Sequence, residues 1–180
     1  MSDAQTSIPH YSVADYELWK GDWELWDGYA IAMSPAARPD HQRVVGKLFL
    51  LITNALSADA ACRHCEVFAE VDWKLSDDTV LRPDLLITCD PVPAKRIERR
   101  PEFVIEVLSP ATASNDRGYK LKRYGEEMVP YYAIADPDAK TVELLTLDDA
   151  GEYQSTPAND ATLTLTSGCE ISLDLTRVFG

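Results

Sequence analysis

The hexapeptide Phe103-Val-Ile-Glu-Val-Leu108 constrains the fold more than any other stretch of the chain. It is apolar except for Glu106, and it lies between Pro101 and Ser109-Pro110. A short run of this kind, rich in branched residues and closed by proline, reads as a central strand buried on both faces. Such a strand needs cover on each side, from helices or from a second sheet. It also carries a carboxylate into the interior, where an unpaired charge is costly. A second acid, Asp84, sits in Arg82-Pro-Asp-Leu-Leu-Ile87, within an expected strand from Val80 to Thr88. Pro-Asp also occurs at Pro39-Asp40 and Pro137-Asp138, but only the middle copy opens an apolar strand with a second acid-bearing strand next in line.

The other elements follow from periodicity. Ser12 is placed to cap a short helix through Trp19. Asp27-Gly28 is a two-residue hairpin signal between Trp23–Trp26 and Tyr29–Met33. Ser34 to Asp40 reads as a loop, and Asp40 as the cap of a helix from about His41 to Ser57. In that helix Val44, Leu48, Ile52 and Leu56 recur every fourth residue. Glu66 to Leu75 alternates as a strand. A helix from about Asn115 to Met128 is stopped by Pro130. Tyr131 to Ala135 is another buried strand, and Thr141–Leu147, Tyr153–Thr156 and Thr162–Thr166 read as an antiparallel meander. The order is helix, three strands, helix, strand, with β additions at both ends. That is an α/β (α+β, mixed-sheet) domain. The expected layout is one domain over 1–180: a loose leader at 1–10, a helix and hairpin at 11–38, a core at 39–136 and the meander at 137–180.

Charge and cysteine content narrow the class. The 180 residues carry a net charge of −13, which taken alone argues against nucleic acid as a partner. The distribution differs from the sum. Lys95 to Arg123 holds eight basic and four acidic residues, a local excess of +4, and such a strip is able to meet a polyanion. No apolar run is long enough to span a bilayer. Residues 1–10 lack the pattern of an export signal. Four cysteines in that setting are expected to be reduced thiols in a cytoplasm. Cys62-Arg-His-Cys65 has no second cysteine pair beside it and is not read as a zinc site.

Two carboxylates on adjacent strands repel unless a proton or cation lies between them. A hard divalent ion such as Mg²⁺ resolves this, since it accepts one or two carboxylates and keeps several waters. In Asp116-Arg-Gly-Tyr-Lys120-Leu-Lys-Arg-Tyr124, the residues Asp116, Lys120 and Tyr124 are four apart and share a helix face. The chemical reading is that this face looks at the strand ends and supplies the Lys120 cation; the structural reading is an exposed Asp–Lys pair.

These motifs, with Trp23-Glu-Leu-Trp-Asp-Gly28, Met33-Ser-Pro35, His41-Gln42, Pro101-Glu-Phe-Val-Ile-Glu-Val-Leu-Ser-Pro110, Val129-Pro-Tyr-Tyr and Ala135-Asp-Pro137, resemble the Uma-type family of restriction endonucleases, within the PD-(D/E)XK nuclease superfamily. The resemblance runs nearly end to end. It implies a restriction-endonuclease-like core and a Mg²⁺-dependent (Mn²⁺ also possible) endonuclease acting on DNA. Asp84 and Glu106 would be the metal ligands and Lys120 the catalytic lysine. The superfamily pattern places its lysine two residues after the second acid, where this chain has Leu108; the Uma-type family shares that departure, and Lys120 matches its alternative position.

Glu24, His41 and Asp72 are secondary site candidates, and Arg117, Lys122 and Arg123 the expected phosphate contacts. A homodimer is expected, joined through the apolar ends and the tryptophan-rich N-terminal hairpin, with no membrane partner. The alternative is a catalytically inactive nuclease-fold binding or regulatory module, favoured by the net charge and by Leu108. A glycosidase built on the acid pair has little support.

Overall fold

The structure, a computed structural model, describes residues 8–33, 38–93, 95–166 and 168–179. Most of the leader, and residues 34–37 of the loop that follows the hairpin, lie outside them.

Helix α1 (Val13–Tyr16) is capped by Ser12, whose side chain accepts from the Asp15 N–H while Asp15 reaches back to the Ser12 backbone. It is shorter than the expected helix to Trp19. Strands β1 (Trp23–Trp26) and β2 (Tyr29–Ala32) flank Asp27 and Gly28, both at positive φ (45° and 81°) as a primed two-residue turn requires. Helix α2 (Pro39–Ala58) begins earlier than expected. Arg38 takes the N-cap position and Pro39 opens the helix, where a missing N–H costs nothing, so Asp40 lies inside the first turn.

Two expected strands are each broken. Glu66–Leu75 divides into β3 (Glu66–Ala69) and β4 (Trp73–Lys74), separated by Glu70 at φ 50°. Val80–Thr88 divides into β5 (Val80–Leu81) and β6 (Leu85–Thr88), separated by Arg82-Pro83-Asp84. Pro83 has no N–H for a ladder, and the chain changes sheets there. Strand β7 (Phe103–Val107) is buried along its whole length, as expected. The expected helix after it is composite: α3 (Ala113–Asn115), a π-helical turn (Asp116–Lys120) and α4 (Leu121–Glu126). Strands β8 (Tyr131–Asp136), β9 (Thr141–Leu147), β10 (Tyr153–Pro157), β11 (Asp160–Thr164) and β12 (Glu170–Asp174) complete the chain.

Six strands form a mixed sheet in the order β10-β9-β8-β7-β6-β3, with β7 and β8 parallel and the other pairs antiparallel. The core order of helix, three strands, helix, strand corresponds to α2, then β3, β6 and β7, then the composite helix and β8. A four-stranded sheet, β2-β1-β5-β4, carries the N-terminal hairpin. The C-terminal meander is corrected: β9 and β10 extend the large sheet, whereas β11 pairs with β12, a strand not foreseen, in a separate hairpin.

Strand alternation sorts the core by face. Leu85, Ile87, Phe103, Ile105 and Val107 pack with Val44, Leu48 and Ile52 of α2 and with the C-terminal hairpin. Leu86, Val104, Tyr132 and Ile134 face the other way, against Trp73, Leu81 and Tyr124.

The expectation of reduced thiols is overturned: Cys62 is bonded to Cys169, and Cys65 to Cys89. Topology gives the reason. Glu66 pairs with Thr88 in the β3–β6 ladder, so one residue further Cys65 faces Cys89. The 3₁₀ turn Ala60–Cys62 that ends α2 brings Cys62 to the start of β12. Neither residue of the Cys-x-x-Cys segment pairs with the other, which agrees with rejecting a zinc site. The pairing removes the ground on which a cytoplasmic setting was expected. Among the described residues no helix is long and apolar enough to cross a membrane.

Candidate active site

The β6–β7 ladder brings the two acids together. Leu85 pairs with Ile105 and Leu86 with Val104, so the same antiparallel register, carried one residue further, sets Asp84 opposite Glu106. The Asp84 N–H lies 3.4 Å from Glu106 Oε2. Asp84 Oδ2 accepts the Val107 N–H at 2.7 Å, taking over where the backbone ladder ends. His41, in the first turn of α2, sets its Nε2 3.2 Å from the same Oδ2. Asp84 and His41 line a cleft of about 510 Å³ together with Arg38, Arg82, Ser109 and Thr112.

Glu106 lies behind Asp84 and is 2% exposed. By alternation it shares the Val104 face, toward α4. Its Oε1 accepts from Tyr124 Oη at 2.7 Å and from Lys120 Nζ at 2.9 Å. Lys120 is buried and also lies 3.1 Å from Glu24 Oε1 and 4.0 Å from Asp116 Oδ1. Three buried carboxylates therefore share one ammonium group, with Asp84 beside them. The π-helical turn carries Asp116 and Lys120 and is followed by α4 with Tyr124, so one helix face supplies all three. That face looks at the strand ends and carries the Lys120 ammonium to Glu106, and the Asp116–Lys120 pair is buried rather than exposed.

The electrostatics follow from this crowding. Burial, opposed by Lys120 but reinforced by the negative charges of Asp116 and Asp84, holds the Glu106 carboxyl well above the usual range. Burial also lifts Asp116 to about 6, against the lowering pull of Lys120 and of a hydrogen bond from Thr112. Lys120 itself is depressed by burial, but the charges of Glu106, Glu24 and Asp116 reverse this, and its pKa lies above the ordinary lysine value. For His41, burial pulls the pKa down; the hydrogen bond to Asp84 and its charge, with the Val107 backbone and Glu70 behind them, outweigh it, and the net shift is upward.

Of the secondary candidates, Glu24 and His41 join the cluster. Glu24 is buried, takes the Trp26 indole N–H at 2.9 Å and the Arg82 backbone N–H at 2.6 Å, and sits against Lys120. Asp72 lies one step away: its oxygens accept from Arg82 Nε at 2.8 Å and Tyr16 Oη at 2.9 Å. Arg117, Lys122 and Arg123 are not brought to the cleft. Arg117 pairs with Glu143 at 2.6 Å, Lys122 with Glu126 at 3.5 Å and Arg123 with Glu126 at 2.8 Å. Among the described residues the arginines that line the cleft are Arg38 and Arg82, from outside that strip; Arg38 is paired with Asp40 and Asp138, and Arg82 with Asp72 and Asp22. Sequence reasoning set Asp116 and Tyr124 on the Lys120 face without giving them a place in the site. An arginine such as Arg82 or Arg117 is the expected partner of Glu106 in a purely structural reading; the partners are instead Lys120 and Tyr124, and Arg82 turns its guanidinium to Asp72 and Asp22.

The donor set suits a hard divalent ion held by few protein ligands. Asp84 and Glu106 adjoin at the end of the β6–β7 ladder, with Glu106 Oε2 3.4 Å from the Asp84 N–H, and carboxylates outnumber cations around them, the surroundings that a divalent ion would offset. Among the described residues no group of three or more His, Cys, Asp or Glu side chains is arranged as a metal cage. Mg²⁺ does not need one, because it retains water and binds through one or two carboxylates.

Comparison with known proteins bears on this geometry. The profile of the Uma2 family, described as "Putative restriction endonuclease", matches residues 13–176. The "Uncharacterized protein slr1290" of Synechocystis sp. is 28% identical over 156 residues, covering 81% of this chain and 79% of that protein. A crystal structure of "a putative nuclease belonging to DUF820" from Anabaena variabilis superposes with a TM-score of 0.73 at 17% identity, covering 93% of this chain and 97% of that one. At that identity the likeness establishes the fold.

Proposed function

The chain belongs to the Uma2 family, and from that premise we propose that it is a metal-dependent DNA endonuclease that hydrolyses phosphodiester bonds, with Asp84 and Glu106 as the ligands of Mg²⁺ or Mn²⁺. The observation that carries this is the cross-strand pair itself: two carboxylates opposed across the β6–β7 ladder, one at the cleft and one beside a buried lysine. A divalent ion held there supplies a Lewis acid for the phosphate and lowers the pKa of water. The protein's own groups hold the geometry. Tyr124 and Lys120 fix Glu106, His41 and the Val107 N–H fix Asp84, and Glu24 and Asp116 keep Lys120 charged. Lys120 then provides positive charge next to the phosphate as negative charge develops. Arg38, half-exposed at the cleft, is the cation placed to meet the phosphate backbone, while the Arg82 guanidinium is engaged by Asp72 and Asp22.

Nicking of supercoiled plasmid tests the reading. Cleavage is expected with Mg²⁺ or Mn²⁺, and none with chelator, with Asp84→Asn or with Glu106→Gln. Cleavage that survives either substitution contradicts it. A second reading, a module that keeps the fold and does not cut, is favoured by one observation: Glu106 is enclosed and held by Lys120 and Tyr124. A folded wild type that neither nicks DNA nor binds metal supports that second reading.

A further inference from the structure

The segment Arg82-Pro83-Asp84 carries the chain from the four-stranded to the six-stranded sheet, and its backbone is held chiefly by the side chains of the site. The Arg82 N–H donates to Glu24 Oε1 at 2.6 Å. The Arg82 carbonyl accepts from Lys120 Nζ at 3.4 Å. Pro83 has no N–H, and the Asp84 N–H points to Glu106 Oε2 at 3.4 Å. The Asp84 carbonyl accepts the Glu70 N–H at 3.1 Å, continuing the β3–β6 register; the Arg82–Pro83 stretch before it is held by side chains, so its placement depends on what anchors Arg82. The Arg82 side chain supplies that anchor. Its Nε donates to Asp72 Oδ1 at 2.8 Å and its Nη1 to Asp22 Oδ1 at 3.0 Å, and its Nη2 lies 3.5 Å from Tyr16 Oη. Tyr16 in turn donates to the second oxygen of Asp72 at 2.9 Å. The planar fork meets partners from three parts of the chain, a geometry that a lysine ammonium does not reproduce.

We propose that Arg82 is a positioning residue, and that its fork, locked by Asp72, Asp22 and Tyr16, sets the placement of Asp84 and, through Glu24, of Lys120; its consequence for cleavage rests on the nuclease reading above. The competing role for an arginine at a cleft is direct phosphate contact, and the two roles give opposite results for Asp72→Asn. That substitution removes the charge facing Arg82 Nε and leaves one amide oxygen, so it loosens the hold on Arg82. A phosphate contact is then strengthened, and DNA binding and nicking rise. A positioning fork is loosened, and nicking falls.

The experiment uses the full chain with Arg82→Lys and Asp72→Asn, read in two ways. The first is amide hydrogen exchange at Val107, whose N–H is held by Asp84 Oδ2; it needs neither metal nor DNA. Protection at Val107 is expected to fall by about tenfold in both variants while Ile105 and Ala133, in the same sheet, keep theirs. General destabilisation would lower all three together. The second is plasmid nicking with Mn²⁺, expected to fall by up to about a hundredfold in both variants, the scale of a small misplacement of catalytic groups. If the wild type does not nick, the nuclease reading fails while the exchange result still decides the role of Arg82. Wild-type protection at Val107 in both variants, uniform loss at all three amides, or a rise in DNA binding and nicking with Asp72→Asn overturns the proposal. If Arg82→Lys fails to fold, Asp72→Asn carries the test alone.

Discussion

Replacing Lys120 with methionine is the sharpest test of the buried cluster. The change keeps most of the side-chain volume and removes the ammonium group that lies 2.9, 3.1 and 4.0 Å from Glu106, Glu24 and Asp116. The three partner side chains are 2–5% exposed, so water screens these contacts poorly. At an effective dielectric constant of about 20, each charge pair is worth roughly 4–6 kcal/mol before desolvation is counted. The variant saves the desolvation of one ammonium, and its carboxylates relieve themselves by taking up protons. What remains is the loss typical of breaking a buried ion pair from one side, about 3–5 kcal/mol. In a chain of this length that lowers Tm by roughly 6–20 °C. Glu106→Gln should behave differently. It removes one of three carboxylates that share the ammonium and keeps an amide oxygen able to accept from Lys120 and Tyr124, so it should cost clearly less than Lys120→Met. Urea unfolding at pH 8 measures both. A cost under about 1 kcal/mol for Lys120→Met, or an equal cost for Glu106→Gln, contradicts a cluster held by the shared ammonium.

Two further outcomes are expected. Asp116 has a folded-state pKa of about 6 against an ordinary value of 3.8; the fold therefore holds a proton that the unfolded chain has released, and stability from this group falls as pH rises through that window. Asp116→Asn should gain on wild type between pH 4 and about pH 6.5 and then level off, with a total gain on the order of 3 kcal/mol; a difference that does not change with pH contradicts this. The Cys62–Cys169 bond spans 107 positions and Cys65–Cys89 spans 24. Chain-entropy estimates give about 5 and about 3 kcal/mol for loops of those lengths. Thiol reagent added to denatured, unreduced protein should find no free cysteine, and reductant should lower Tm sharply. Four titratable thiols before reduction would contradict the pairing.

The core and the acid pair were legible because both depend on local pattern. The four-residue repeat from Val44 to Leu56 and the apolar run around Glu106 each name a buried surface, and an acid inside such a run calls for a partner. Lys120 was legible through its spacing from Asp116 and Tyr124. What escaped depends on where the chain turns. Nothing in Val80–Thr88 marks the change of sheet except Pro83, so the pattern predicts one continuous strand. The π-helical turn at Asp116–Lys120 looks helical in sequence. The disulfides require the β3–β6 register, since Cys65 meets Cys89 only once Glu66 pairs with Thr88. The phosphate contacts expected at Arg117, Lys122 and Arg123 rested on charge density, which does not distinguish a substrate track from a surface already paired with Glu126 and Glu143. Arg38 and Arg82, isolated in sequence, are the cations that folding brings to the cleft.

The most direct measurement is a calorimetric titration of the full chain with Mn²⁺, run beside Asp84→Asn and Glu106→Gln, with folding checked by circular dichroism. Saturable binding to wild type that is abolished in both folded variants is the expected result, because each substitution removes one of the two facing carboxylates. Binding that persists unchanged in either variant would place the ion elsewhere and contradict the assignment of Asp84 and Glu106 as its ligands.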